Sequence, residues 1–229
     1  MHVALISVGD EILAGDTVNT NATWLGQRLA ERGVDVERVT VVPDRVSEIA
    51  SVVNEYRAAY DAVIVTGGLG PTHDDLTMEG VATALGREVE QNEEALAWLT
   101  EEGGYTHENL TGGTADLPRG ARPLHNDVGV APGAVVEEIY VLPGVPSEMK
   151  AMFENVVEEF KGEPRYVEQV YTTEPESALV PRLQEVQERF DVTIGSYPGD
   201  GVRLKLTGSD EQTVEVAAEW LRERVERDE

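Results

Sequence analysis

The sequence predicts an α/β fold: a doubly wound, mostly parallel sheet followed by a small C-terminal β-α-β-β-α subdomain. Three observations predict it. Short apolar runs of strand character alternate with segments whose apolar residues recur at helical spacing. The first and third runs end in glycine- and acid-rich turns, where strands of a parallel sheet place their ligands. A polar stretch punctuated by glycine and proline, Lys161-Gly162-Glu163-Pro164, divides the chain into residues 1–163 and 164–229.

The elements follow in order. Residues 3–8 form an apolar run that stops at Gly9, a turn-rich segment follows, and residues 21–32 place Trp24, Leu25 and Leu29 on one side of a helix. Residues 34–42 alternate as a strand, residues 46–60 have helical spacing, and residues 62–65 are a continuous apolar run closed by Thr66-Gly67-Gly68. Helices are expected at 76–85 and 93–100, then a Gly/Thr-rich loop over 103–120. Residues 135–142, turning at Glu137-Glu138, read as strand material that enters Pro143-Gly144-Val145-Pro146 and a helix reaching residue 160. Its Met149, Met152, Phe153 stripe belongs in a core, and Trp24, Trp98 and Trp220 read as helix-packing residues. In the tail, a strand at 166–173, a helix at 176–189, strands at 192–196 and 202–206, and a helix from Glu211 are expected.

Composition bounds the function. The 229 residues suffice for one good core and a small second one. No apolar run approaches the roughly 20 residues of a membrane helix, and the absence of a basic, cleavable leader makes a cytoplasmic location the expectation. Without cysteine there is no disulfide, thiolate catalysis or Cys-ligated metal. The net charge is -26, from 44 acidic and 18 basic residues, which disfavours nucleic-acid binding. Fifteen of the 18 basic residues are arginines, and acid is spread from Asp10 to Glu229, the composition expected of a halophilic source where salt screens self-repulsion.

Two segments can carry chemistry. The string GDEILAGDTVNTN, Gly9 to Asn21, sets carboxylates after the first strand, placed to hold a hard cation or to orient a hydroxyl, with Asn19 to Asn21 available as a helix cap; an Asp-rich turn with a cap is the plainer reading. The string TGGLGPTHDDLT, Thr66 to Thr77, joins a strand, a glycine-rich loop and a helix start, which together make an anion cradle. Asp74 and Asp75 are there candidate Mg²⁺ ligands or substrate anchors, or one of them simply caps the helix. His73 reads as an exposed bystander, and Arg119 and Arg122 as surface solvation.

These two strings, with NDVGVAPG from Asn126 and LPGVPSEM from Leu142, resemble in order and spacing the motif set of the CinA N-terminal domain, a branch of the molybdopterin-binding fold shared with MogA, MoaB and MoeA. The resemblance implies a three-layer molybdopterin-binding-like fold, with a tail that resembles the family's next subdomain through Ser196-Tyr197-Pro198 and Arg203-Leu204-Lys205-Leu206. It implies a pocket bound by Gly9, Glu11, Asn21, Gly67, Gly68, Gly70, Thr72, Asn126, Pro143, Gly144, Pro146 and Ser147. Asp10, Asp74 and Asp75 are implied as catalytic, and with Glu11 as ligands of Mg²⁺ or Co²⁺, K⁺ being a further candidate cation. Gly113-Thr114-Ala115 departs from the family's Lys-Gln-Ala step and removes a cation that could meet a phosphate; Arg119 or Arg122 as its substitute is the alternative to their reading as surface solvation.

Three functions follow as expectations from the resemblance. One is metal-dependent hydrolysis of ADP-ribose to AMP and ribose 5-phosphate. Another is binding or adenylylation of molybdopterin in molybdenum or tungsten cofactor synthesis, and the third is a non-catalytic ligand-binding module. A homodimer or trimer is implied as well, and no nicotinamide-mononucleotide deamidase activity is expected of a chain ending at Glu229.

Overall fold

The structure, a computed structural model, describes residues 1–70, 72–103, 105 and 112–226. Pro71, most of the 103–111 part of the Gly/Thr-rich loop and the last three residues of the acidic C-terminal segment thus lie outside the described residues. The chain forms two compact units, Met1–Gly162 and Glu163–Glu229.

In the first unit the chain runs β1 (His2–Val8), α1 (Asp10–Ala14), α2 (Thr20–Ala30), β2 (Asp35–Val42), α3 (Val46–Ala59), β3 (Ala62–Thr66), α4 (Thr77–Leu85), β4 (Val89–Gln91) and α5 (Glu93–Glu101). It continues through β5 (Asp116–Pro118), β6 (Arg122–Leu124), β7 (Gly133–Val136), β8 (Ile139–Leu142) and α6 (Pro146–Val156). A six-stranded sheet has the order β2-β1-β3-β8-β7-β6. Its first four strands are mutually parallel, while the β8–β7 and β7–β6 pairings are antiparallel. The expected doubly wound, mostly parallel sheet is present.

The apolar runs explain the layering. A central strand of a sheet covered on both faces needs no alternation, since successive side chains feed opposite cores. On β1, Ala4, Ile6 and Val8 enter the core beneath α3, α4 and α5, while Val3 and Leu5 enter the one beneath α2 and α6. β3 repeats this, with Val63 and Val65 on the first side and Ala62 and Ile64 on the second. Each fully buried Leu, Ile or Val contributes about 1.5–3 kcal/mol. The Met149, Met152, Phe153 stripe is buried in the α2/α6 layer, where Trp24 meets Phe153 edge to face at 5.8 Å between centroids.

Four local expectations are corrected. β2 is an edge strand whose middle residues are exposed, so it lacks the expected alternation. β4, β5 and β6 have three residues each, too few for a period to register, and β5 lies inside the segment read as loop. The acidic turn after β1 is itself the short helix α1. The helix expected to reach residue 160 ends at Val156 and tightens into a 3₁₀ turn over Val157–Glu159.

The second unit runs β9 (Tyr166–Thr172), α7 (Glu176–Arg189), β10 (Thr193–Pro198), β11 (Val202–Gly208) and α8 (Glu211–Arg222), the expected β-α-β-β-α order. Its sheet, β10-β11-β9, is antiparallel throughout. Leu179, Val186, Val214, Ala217 and Leu221 of the helices share a core with Val170, Leu204 and Leu206 of the strands. No helix among the described residues is long and apolar enough to cross a membrane.

Candidate functional site

The carboxyl ends of β1, β3 and β8 lie side by side, and the turns that follow them touch backbone to backbone. Gly67 donates its amide to the Leu142 carbonyl at 3.1 Å. Its φ of +102° and that of Gly68, +61°, are backbone conformations that favour glycine. A Cβ on Gly67 would collide with the Val8 carbonyl oxygen, and one on Gly144 would stand 3.3 Å from the Gly67 Cα. Among the described residues, no backbone carbonyl accepts from the amides of Gly68, Leu69 or Gly70. Open donors leading into the N-terminus of α4 suit an anion.

Asp75 closes this loop. Its carboxylate accepts from the Thr72 amide at 2.9 Å and the Thr72 hydroxyl at 2.5 Å. It lies over Gly70, where a Cβ would come within 2.6 Å of it. α4 itself starts at Thr77, with Leu76 at its N-cap and no side-chain cap, so the helix-capping role considered for Asp74 or Asp75 is not the one the structure shows. The Thr72 hydroxyl also holds the Asp74 carboxyl below the ordinary aspartate range. Asp74 and Asp75 thus compete for the single hydrogen of the Thr72 hydroxyl, which stands 2.5 Å from Asp75. His73 is exposed, as expected of a bystander.

A pocket of about 400 Å³ opens beside the loop, in the layer of α3, α4 and α5. Gly68, Gly70, Thr72 and Asp75 line it, as do Glu79 of α4, Asp116 and Leu117 of β5, and Tyr105, Met78 and Val130. Its walls are thus partly apolar, with three carboxylates and no Lys or Arg among the described lining residues.

The other expected residues stand elsewhere. Asn21 and Ser147 belong to the first turns of α2 and α6, in the opposite layer, and the Asn21 amide donates to the Gly144 carbonyl at 2.7 Å. Asn21 Oδ1 is buried there with no described partner. Pro146 opens α6 as its first residue, a position suited to its missing amide hydrogen. Asp10 and Glu11 are exposed on α1; Glu11 folds its carboxylate over Gly9, and the Asp10 amide donates to Asp44 at 2.7 Å. Asn19 is the residue that caps α2, accepting from the Ala22 amide at 3.1 Å. Asn126 spends its whole hydrogen-bonding capacity on the protein. It donates to the Ala131 carbonyl and Glu148 and accepts from the Val128 and Gly129 amides, thereby shaping the segment that carries Val130 to the pocket. Arg119 pairs with Glu88 and Glu90, and Arg122 with Glu159 at 2.8 Å, so neither replaces the missing cation at the pocket. Among the described residues, no three His, Asp or Glu side chains converge as a metal site requires. Asp10, Glu11, Asp74 and Asp75 therefore do not form such a donor set.

Comparison with known proteins agrees with this architecture. Residues 4–162 match the family described as probable molybdopterin binding domain, and residues 164–229 match the FAD synthase middle domain. The CinA protein of Thermoplasma acidophilum, of unknown function, is 38% identical, with a TM-score of 0.64 over 69% of this chain and 97% of that one. This chain is a CinA-like member of the molybdopterin-binding domain family. Proteins of Pyrococcus furiosus and Archaeoglobus fulgidus are 41% and 39% identical over 98% and 97% of this chain, and in each case over 97% of their own length.

In this molybdopterin-binding domain, Glu79, Asp116, Tyr105 and Asp44 were not singled out by sequence reasoning. Glu79 follows Asp75 by four residues, one helical turn, and Asp44 follows the carboxyl end of β2, so spacing and the strand-end rule could have found both. Asp116 and Tyr105 had no signal, because the segment that carries them, read as loop, has no period and β5 is only three residues long.

Proposed function

We propose that the pocket binds a phosphorylated pterin of the molybdopterin class. The observation that carries this reading is the pocket's mixed chemistry: open amides at Gly68 to Gly70 on one side, and Asp75, Glu79 and Asp116 among Met78, Leu117, Val130 and Tyr105 on the other. The amides and the α4 N-terminus suit the phosphate. The carboxylates are acceptors only, and the 2-amino and ring N–H edge of a pterin is a row of donors. The apolar walls take the faces of a flat ring system. The family described for residues 4–162 supports the same ligand class. Metal-dependent hydrolysis of ADP-ribose has less support, since among the described residues the three pocket carboxylates do not converge closely enough to hold a metal ion.

The test is equilibrium binding of neopterin phosphate and of ADP-ribose to the full chain in about 2 M KCl, where charges are screened, with and without Mg²⁺. Neopterin phosphate is expected to bind, and Asp75→Asn to weaken it about tenfold, or about 1.4 kcal/mol. Unchanged binding by that variant would place the ligand elsewhere. Mg²⁺-dependent release of AMP from ADP-ribose, without pterin binding, would replace the reading by the hydrolase one.

A further inference from the structure

The open face of the C-terminal sheet carries chemistry that the pocket of the first unit does not use. α7 and α8 cover one face of this sheet through Val170, Leu204 and Leu206. Side chains alternate along a strand, so the intervening residues face the other way. The register sets Arg203 between Tyr171 and Tyr197, and Lys205 between Gln169 and Gly195, all on that uncovered face. Tyr171 and Tyr197 are 62% and 46% exposed. The ring of Tyr197 lies along the sheet over Gly195, where a Cβ would come within 2.9 Å of it, and the Arg203 guanidinium stands 4.6 Å from its centroid. The Tyr171 hydroxyl donates to Gln169 at 2.7 Å, which steadies the more exposed ring.

The charge of this face is opposite to that of the molecule. In a chain of net charge -26, its three strands turn Arg203 and Lys205 outward and no carboxylate with them. Among the described residues neither cation forms an ion pair. A concavity of about 710 Å³ adjoins the face, bounded by Tyr171, Tyr197, Arg203, Arg222 and the turn carrying Asp200, and ligand pockets run roughly 300–1,000 Å³. Aromatic rings beside unpaired cations suit a flat heterocycle that carries a phosphate.

We propose that this face binds a mononucleotide, its base stacked on Tyr171 and its phosphate held by Arg203 and Lys205. Asp200 at the rim accepts from the ribose hydroxyls. The occupant is a single nucleotide rather than a strand of nucleic acid, because two cations match one phosphate whereas the remaining charge of the chain repels a polyanion. This site is independent of the pterin pocket, whose lining has the opposite sign.

The experiment is a titration of the ¹⁵N-labelled full chain with AMP, adenosine and hexaadenylate, followed by amide chemical shifts. Saturable AMP shifts are expected at Tyr171, Tyr197, Arg203 and Lys205, with adenosine weaker than AMP. Tyr171→Ala, and Arg203→Ala with Lys205→Ala, should each weaken AMP at least tenfold, and Tyr171→Phe should retain it; unchanged spectra outside the sheet show that each variant stays folded. AMP shifts confined to residues 66–79 and 112–117, no shifts at all, full affinity in the double variant, or tighter binding of hexaadenylate would each overturn the proposal.

Discussion

At Gly67 the chain turns directly beneath the Val8 carbonyl with φ at +102°, and no side chain has room there. Gly67→Ala is therefore expected to cost about 1–3 kcal/mol in backbone strain, with the collision in addition. The melting temperature should fall, and ligand binding should fall with it, because the open amides of the next three residues depend on that turn. Asp75 and Gly70 form a second such pair, in which a carboxylate occupies the space that a side chain at residue 70 would take. The glycines and Asp75 were legible in the sequence as a string. That Asp75 closes the loop through Thr72 rather than capping α4 was not, because the same residue order permits either hydrogen bond.

Among elements, β1, α2 and β3 were the most legible, since their apolar runs are long and bounded by glycine or asparagine. The start of α7 shows an ionic clasp that no motif announces. Arg182 donates to both Glu174 oxygens, the Glu226 amide donates to the same carboxylate at 2.8 Å, and the Glu174 side chain is 13% exposed. The Arg182 hydrogen bond is the main reason the Glu174 carboxyl is held below the ordinary glutamate range. A depressed folded value means that the contribution is fully present above the unfolded value, about 4.3, and is lost as pH falls through the folded one. The melting temperature of the second unit should therefore hold from neutrality to about pH 5 and decline below about pH 4. Glu174→Gln should cost about 1–2 kcal/mol at pH 7, between an exposed and a buried pair, and its acid decline should be shallower. Thermal melts of both proteins across this pH range check the sign.

For the whole molecule, a net charge of -26 opposes compaction through self-repulsion wherever salt does not screen it. The ion pairs that the structure does form involve mainly exposed side chains, each worth about 0–1 kcal/mol and weakened by salt. Screening of the excess acid should outweigh their loss. The melting temperature is thus expected to rise steadily between about 0.1 and 2 M KCl as the Debye length falls from about 10 Å toward 3 Å. A flat or falling curve would show that acid excess is no adaptation to salt.

The sequence by itself determined the two-unit α/β order, the strands that carry the site and the glycine loop that opens it, because each rests on a local period or a local backbone requirement. It also made the family resemblance readable from four strings. Only the tertiary structure decided which layer holds the pocket, that Glu79 and Asp116 join Asp75 there, and that Asn126 is consumed by its own loop. It alone turned Tyr171, Arg203 and Tyr197 into neighbours, through the register of three strands. Apart from Glu79, one helical turn beyond Asp75, and the local bonds of Asn126 to residues 128–131, these are contacts between residues far apart in the chain, fixed by sheet order and packing, and no spacing along the sequence encodes them.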